Sequence, residues 1–167
     1  MNLIKNNFKK GVSIVETVIY VAIFTVMSIV VINSFLVIIS SLSVIRMNHE
    51  LLDSGSISME RISREIRNAK NIDLVNTPSN GTVLQIKNTD NIYIKFSKDG
   101  DNLNLYEGGT LVDNLLTENI KLNSISFTPI STTSSEGVKI QMTLEYSRGR
   151  LNKIENFYDT VVLRGGY

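Results

Sequence analysis

From Thr17 to Ile45 the chain carries no charged side chain; after the threonine it reads VIYVAIFTVMSIVVINSFLVIISSLSVI. An apolar run of that length predicts a helix that crosses a membrane. Lys9, Lys10 and Gly11 precede it, and Glu16 stands just inside its start. A carboxylate near hydrocarbon costs about 2.5–3.5 kcal/mol on insertion scales, so a lone one calls for a partner or a functional reason.

A cut after Gly11 would supply the partner. Val12 would then carry a free α-amine four residues before Glu16, one helical turn and about 6 Å away. An ammonium and a carboxylate at that depth can neutralise each other, within one chain or between neighbouring chains that are slightly offset along the axis. Length points the same way. A continuous helix from Val12 to Ile45 would reach about 51 Å, against a hydrocarbon core of about 30 Å, and tilt does not comfortably absorb the excess. The part beyond the bilayer needs cover from other helices like it, so the stretch suits lipid first and a protein bundle later.

The residues KKG followed by VSIVETVIYVAIFTVM are similar to the N-terminus of type IV prepilins and type II secretion pseudopilins. Those proteins have a basic leader ending in Gly, then an apolar residue, then Glu at the fifth mature position. The resemblance implies that Gly11 ends the leader, that prepilin peptidase cuts between Gly11 and Val12, that the Val12 amine is N-methylated, and that Glu16 is the assembly glutamate. Two positions depart from a major pilin: Val12 stands where Phe is usual, and Asn33 lies near the place of a helix-kinking proline. Other readings of the stretch fit less of it. A secretory signal peptide has a shorter apolar region with its cleavage site afterwards, and a plain signal anchor leaves Glu16 without a reason.

Taken in order, residues 1–11 read as the leader, whose Lys5, Lys9 and Lys10 favour the cytoplasmic side. Residues 12–45 are the membrane-spanning and filament-core helix, and residues 46–76 its amphipathic outer half, beginning at Arg46. There Leu52, Gly55, Met59, Ile62, Ile66 and Ala69 recur at spacings of three and four, one apolar stripe. The opposite face carries Glu60, Arg61, Arg64, Glu65 and Arg67, with Glu60 and Arg64 spaced as an i,i+4 pair. Helical character runs to Asn71, and Gly55, between two serines, predicts a kink over Asp53 to Ser56. Thr77-Pro78-Ser79-Asn80-Gly81 is a turn that the helix must not enter.

Residues 77–167 read as antiparallel sheet. Val83, Leu84 and Ile86 predict one strand, and Ile92, Ile94 and Phe96, alternating with Tyr93, Lys95 and Ser97, a second. Lys98-Asp99-Gly100-Asp101 and Glu107-Gly108-Gly109 are turns of a meander. A strand from Ile120 to Phe127 follows, with a register shift before Ile125 and Phe127 and a limit at Pro129. Val138, Ile140, Met142, Leu144 and Tyr146 alternate strictly, and Ile154 to Leu163 is the last strand. The fold class is α+β, a long N-terminal helix packed on a C-terminal antiparallel sheet. SREIRNAKNI, LYEGGTLVDNLLTENIKLNSISFTP and YDTVVLRGGY resemble segments of the J-type minor pseudopilins and PilW-like minor pilins. Leu116-Thr117 and Leu163-Arg164 match their short signatures, and Gly165 replaces the usual Asn.

Composition narrows the function further. The chain is 167 residues long with no cysteine and one histidine, so disulfide and thiol chemistry are excluded. His49 reads as an exposed helix residue. Asp99-Gly100-Asp101-Asn102 lacks the spacing and distal Glu of a calcium loop, and Asp90, Glu107 and Glu118 lie in turns where acids are ordinary. No catalytic residue, metal or cofactor is expected. Removing the three leader lysines takes the net charge from +1 to −2, so nucleic acid is not indicated. The cluster Arg61, Arg64 and Arg67 reads first as a solvated face and second as a phosphate site. The resemblance implies a minor pilin or pseudopilin in the inner membrane, N-terminus inside, later in a cell-surface or periplasmic filament near its tip. Its partners would be other pilin subunits, prepilin peptidase, an assembly-platform membrane protein and, before assembly, the lipid bilayer. The competing expectation is a single-pass adhesin or ligand-binding protein that never polymerises.

Overall fold

A computed structural model of the chain describes residues 13–131, 135–149 and 151–164. Helix α1 spans Ile14–Asn68, and eight strands follow. These are β1 (Ala69–Ile72), β2 (Val83–Asn88), β3 (Tyr93–Asp99), β4 (Asn102–Glu107), β5 (Thr110–Asn114), β6 (Ile120–Ser131), β7 (Glu136–Arg148) and β8 (Leu151–Val162). The class is α+β, one long helix and then antiparallel sheet. The chain divides into two compact units, Met1–Ser43 and Val44–Tyr167, and α1 contributes to both.

In the second unit the strands form two sheets rather than the single one expected. β1 to β5 make a meander in sequence order, and β6, β7 and β8 a separate three-stranded sheet. The meander ends because Leu115 and Leu116 leave it. The Leu115 amide donates to Leu103 O at 2.9 Å, while its carbonyl accepts from Ser58 Oγ of α1 at 2.9 Å, and Leu116 is buried. The sheets meet where Gly81 pairs with Phe127 and where the Leu122 amide donates to Asp101 O at 2.8 Å.

Alternation fixes the core. Leu84, Ile86, Ile94, Phe96, Leu103 and Leu105 are buried from the meander, and Val138, Ile140, Met142, Leu144 and Tyr146 from β7. A bulge between Leu122 and Ser124 supplies the register shift that turns Ile125 and Phe127 inward. Pro129 does not end its strand: it pairs with Val138, and β6 runs on to Ser131. β6 is an edge strand, where a residue without an N–H can be accommodated.

The helix departs from expectation in three ways. It stops at Asn68, and Ala69 to Asn71, read from sequence as helix, belong with Ile72 to β1, which pairs with β2. It stays helical through Gly55, with no interruption over Asp53 to Ser56. The inward stripe is Met47, Leu51, Ser54, Gly55, Ser58, Met59, Ile62, Ser63 and Ile66, with Leu51 in place of Leu52. Its middle is made of small residues, and the reason lies on β8. A side-chain carbon at Gly55 would sit 2.1 Å from Phe157 Cζ, so the ring occupies the space a side chain would take. Ser63 Oγ donates to Asp159 Oδ2 at 2.7 Å, and Lys153 Nζ donates to Asn48 Oδ1 at 3.1 Å.

Leucine favours a helix over glycine by up to about 1 kcal/mol, yet Gly55→Leu is expected to destabilise the second unit by about 1–3 kcal/mol through overpacking. Thermal unfolding followed by circular dichroism checks this. Adding Phe157→Ala should recover part of the loss, and independent, additive effects would show that the two residues do not share this space.

Candidate functional site

Glu16 lies in the first turn of α1, the one acid there. It is exposed, and among the described residues it forms no ion pair; its contact is the Tyr20 hydroxyl, which donates to Glu16 Oε1 at 2.8 Å. Tyr20 is four residues on, so the bond runs along one face of the helix. It leaves the negative charge without a positive partner among the described residues. Gly11 and Val12, the expected cleavage and methylation positions, lie outside the described residues.

From Val18 to Ile45 α1 exposes apolar side chains almost all round, among them Phe24, Met27, Phe35 and Leu42. It is long and apolar enough to cross a membrane, and its most apolar window is wholly unburied. The polar side chains in this run are mostly satisfied internally. Thr17, Thr25, Ser28, Ser34, Ser41 and Ser43 each donate to the carbonyl four residues back, and Ser40 to the one three back, at 2.8–3.3 Å. A hydroxyl that has spent its proton on its own backbone costs little in hydrocarbon, where no water can take its place. The sequence signal was available: every one of these residues follows an accessible carbonyl by three or four positions. Asn33 differs, since its carboxamide has no partner within the helix.

The chain matches no family model, no curated protein and no solved structure.

The other candidates have ordinary surroundings. His49 is exposed on the helix. Asp99 to Asn102 forms the β3–β4 hairpin turn, with Gly100 at φ 58°, and Asp101 pairs with Lys121 Nζ at 3.4 Å. Lys98 Nζ also donates to Gly100 O. Asp90 lies in the β2–β3 turn, where its amide donates to Asn88 Oδ1, and Glu107 and Glu118 are exposed. Among the described residues no three His, Cys, Asp or Glu side chains are grouped as metal ligands. The expected Glu60–Arg64 pair is not formed; Arg61 instead reaches Glu65 at 3.1 Å. Arg64 and Arg67 line a cleft with Arg164 from the chain's far end, an approach that sequence spacing does not reveal. Glu60 and Asp159 line the same cleft, which dilutes its positive charge.

Two arginines at the centre of the apolar run, Ile29→Arg with Ile32→Arg, each cost about 2.5–3.5 kcal/mol in hydrocarbon. The native chain is expected to sediment in the carbonate-resistant membrane fraction, and the variant to leave it. Undiminished retention would remove the helix as the anchor.

Proposed function

We propose that the chain is a minor pilin or pseudopilin, processed after Gly11 by prepilin peptidase and assembled through α1 into a type IV pilus or a secretion or competence pseudopilus. The observation that carries this is a carboxylate, Glu16, with no ion pair among the described residues, in the first turn of a helix that is apolar and exposed from Val18 to Ile45. The basic residues and glycine before it, and the antiparallel sheet unit after it, are compatible with that family.

In this mechanism, cleavage between Gly11 and Val12 frees an α-amine, which is then N-methylated and remains cationic. While the subunit waits in the inner membrane, with its leader side in the cytoplasm, the amine and Glu16 lie at similar depth. On assembly the Glu16 carboxylate of the incoming subunit pairs with the Val12 amine of a neighbour. The pairing favours one axial offset, because in low-dielectric surroundings even the partial loss of Coulomb attraction that follows a displacement by one turn is large in energy. Apolar side chains from Val18 to Ile45 then exchange lipid for other helices of the same kind. A subunit at the extreme tip would have no neighbour above to use its glutamate, so Glu16 favours a place just below the tip, among the subunits that start the filament.

Mass spectrometry of protein from native membranes is expected to find N-methylated Val12 as the first residue, and recovery of intact Met1 would overturn the reading. Glu16→Gln keeps size and helix propensity but removes the charge. It should be processed normally and enter sheared filaments at least about tenfold less than wild type, as loss of about 1.4 kcal/mol per contact requires.

A further inference from the structure

We infer that the outward face of β2, β3 and β4 binds an acidic saccharide. This reading is independent of whether the chain polymerises. Cross-strand register puts Lys87 opposite Tyr93, Gln85 opposite Lys95, and Lys95 opposite Tyr106. Because side chains alternate along a strand, these five share one face, while Leu84, Ile86, Ile94, Phe96 and Leu105 fill the core on the other. Lys87 Nζ stands 5.5 Å from the centre of the Tyr93 ring, and Lys95 Nζ 5.5 Å from that of Tyr106. Two tyrosines and two lysines thus make a chequerboard.

Three observations take this beyond ordinary packing of lysine on tyrosine. Neither lysine has an ion pair among the described residues, although exposed sheets usually intersperse both signs of charge. The acids of the neighbouring strands are at the wrong parity: Glu107 stands opposite Ile94 and Asp113 opposite Leu105, both core-facing positions. Asp73, at the end of the face, is engaged with Gln85 Nε2 at 3.2 Å, Asn76 Nδ2 at 2.9 Å and the amides of Val75 and Asn76. Finally, Gln85, Tyr93, Lys95 and Tyr106 line a groove of about 460 Å³ whose remaining wall is the Gly108-Gly109 turn. Both glycines have positive φ, 58° and 87°, and without side chains they leave that wall low and open.

The chemistry selects the ligand. Tyrosine rings offer flat apolar surface with a hydroxyl at the edge, suited to the C–H face of a pyranose and its rim of hydroxyls. The Gln85 amide, which gives one N–H to Asp73, keeps a donor and an acceptor; the Lys95 ammonium in the groove matches a carboxylate, and that of Lys87, on the same face beside the groove, a second. A nucleic acid needs a longer track of cations, because its affinity at physiological salt grows with the number of phosphates neutralised, and only two lysines are here. The groove volume lies within the about 300–1,000 Å³ usual for small-ligand clefts.

The test is calorimetric titration of the full chain, in detergent micelles, with trigalacturonate. Maltotriose serves as the neutral control and a (dT)4 oligonucleotide as the charged one. Saturable binding of trigalacturonate, at least about tenfold tighter than either control, is expected. Lys95→Met, which keeps the apolar stem, and Tyr106→Ala should each weaken it severalfold, with thermal unfolding of each variant used to show that the sheet is intact. No saturable binding, equal affinity for maltotriose, preference for (dT)4, or native affinity in folded Lys95→Met and Tyr106→Ala would each overturn the assignment.

Discussion

Apolar surface in water is unfavourable in proportion to its area, and the run from Val18 to Ile45 exposes far more of it than a soluble protein tolerates as one patch. Something must cover it. Lipid can, and so can other helices of the same kind; the chain's own sheets bury residues of α1 only from Met47 onward. Glu16 gains its interest from this requirement, since a carboxylate is unremarkable on a wet helix and conspicuous where the surroundings exclude water.

Beyond Val44 the helix meets a different demand. There it must lie close against two sheets, and the sequence meets this with small side chains as well as large ones. Gly55 makes room for Phe157, Ser58 reaches the carbonyl of Leu115 where the chain passes between sheets, and Ser63 holds Asp159. Each contact joins α1 to a segment about fifty to a hundred residues away, so the helix organises both the end of the meander and the last strand.

These same positions mark the limit of what sequence could tell. Hydrophobic periodicity found Ile62, Ile66 and the strict alternation of β7, because large apolar residues dominate those faces. It placed Leu52 inward where Leu51 is, because the stripe passes through serines and a glycine that carry no hydrophobic signal. Gly55 read as a weak point, although the missing side chain is what lets the ring of Phe157 in. Ala69 to Asn71 read as helix because pairing with β2 is a tertiary choice that local propensity does not encode. Pro129 read as a terminus because its tolerance depends on β6 lying at an edge. Of the candidate site, Glu16 was visible as a charge out of place, whereas its bond to Tyr20, the Arg61–Glu65 pair and the chequerboard on the meander needed coordinates.

The serines and threonines of the apolar run carry one more implication. With their protons turned back onto their own carbonyls, they have no donor left for a neighbour and present mainly contour. Whatever lies alongside can then slide and rotate with little penalty until something polar arrests it, and among the described residues Glu16, with Tyr20 bonded to it, and Asn33 are the groups equipped to set the stop.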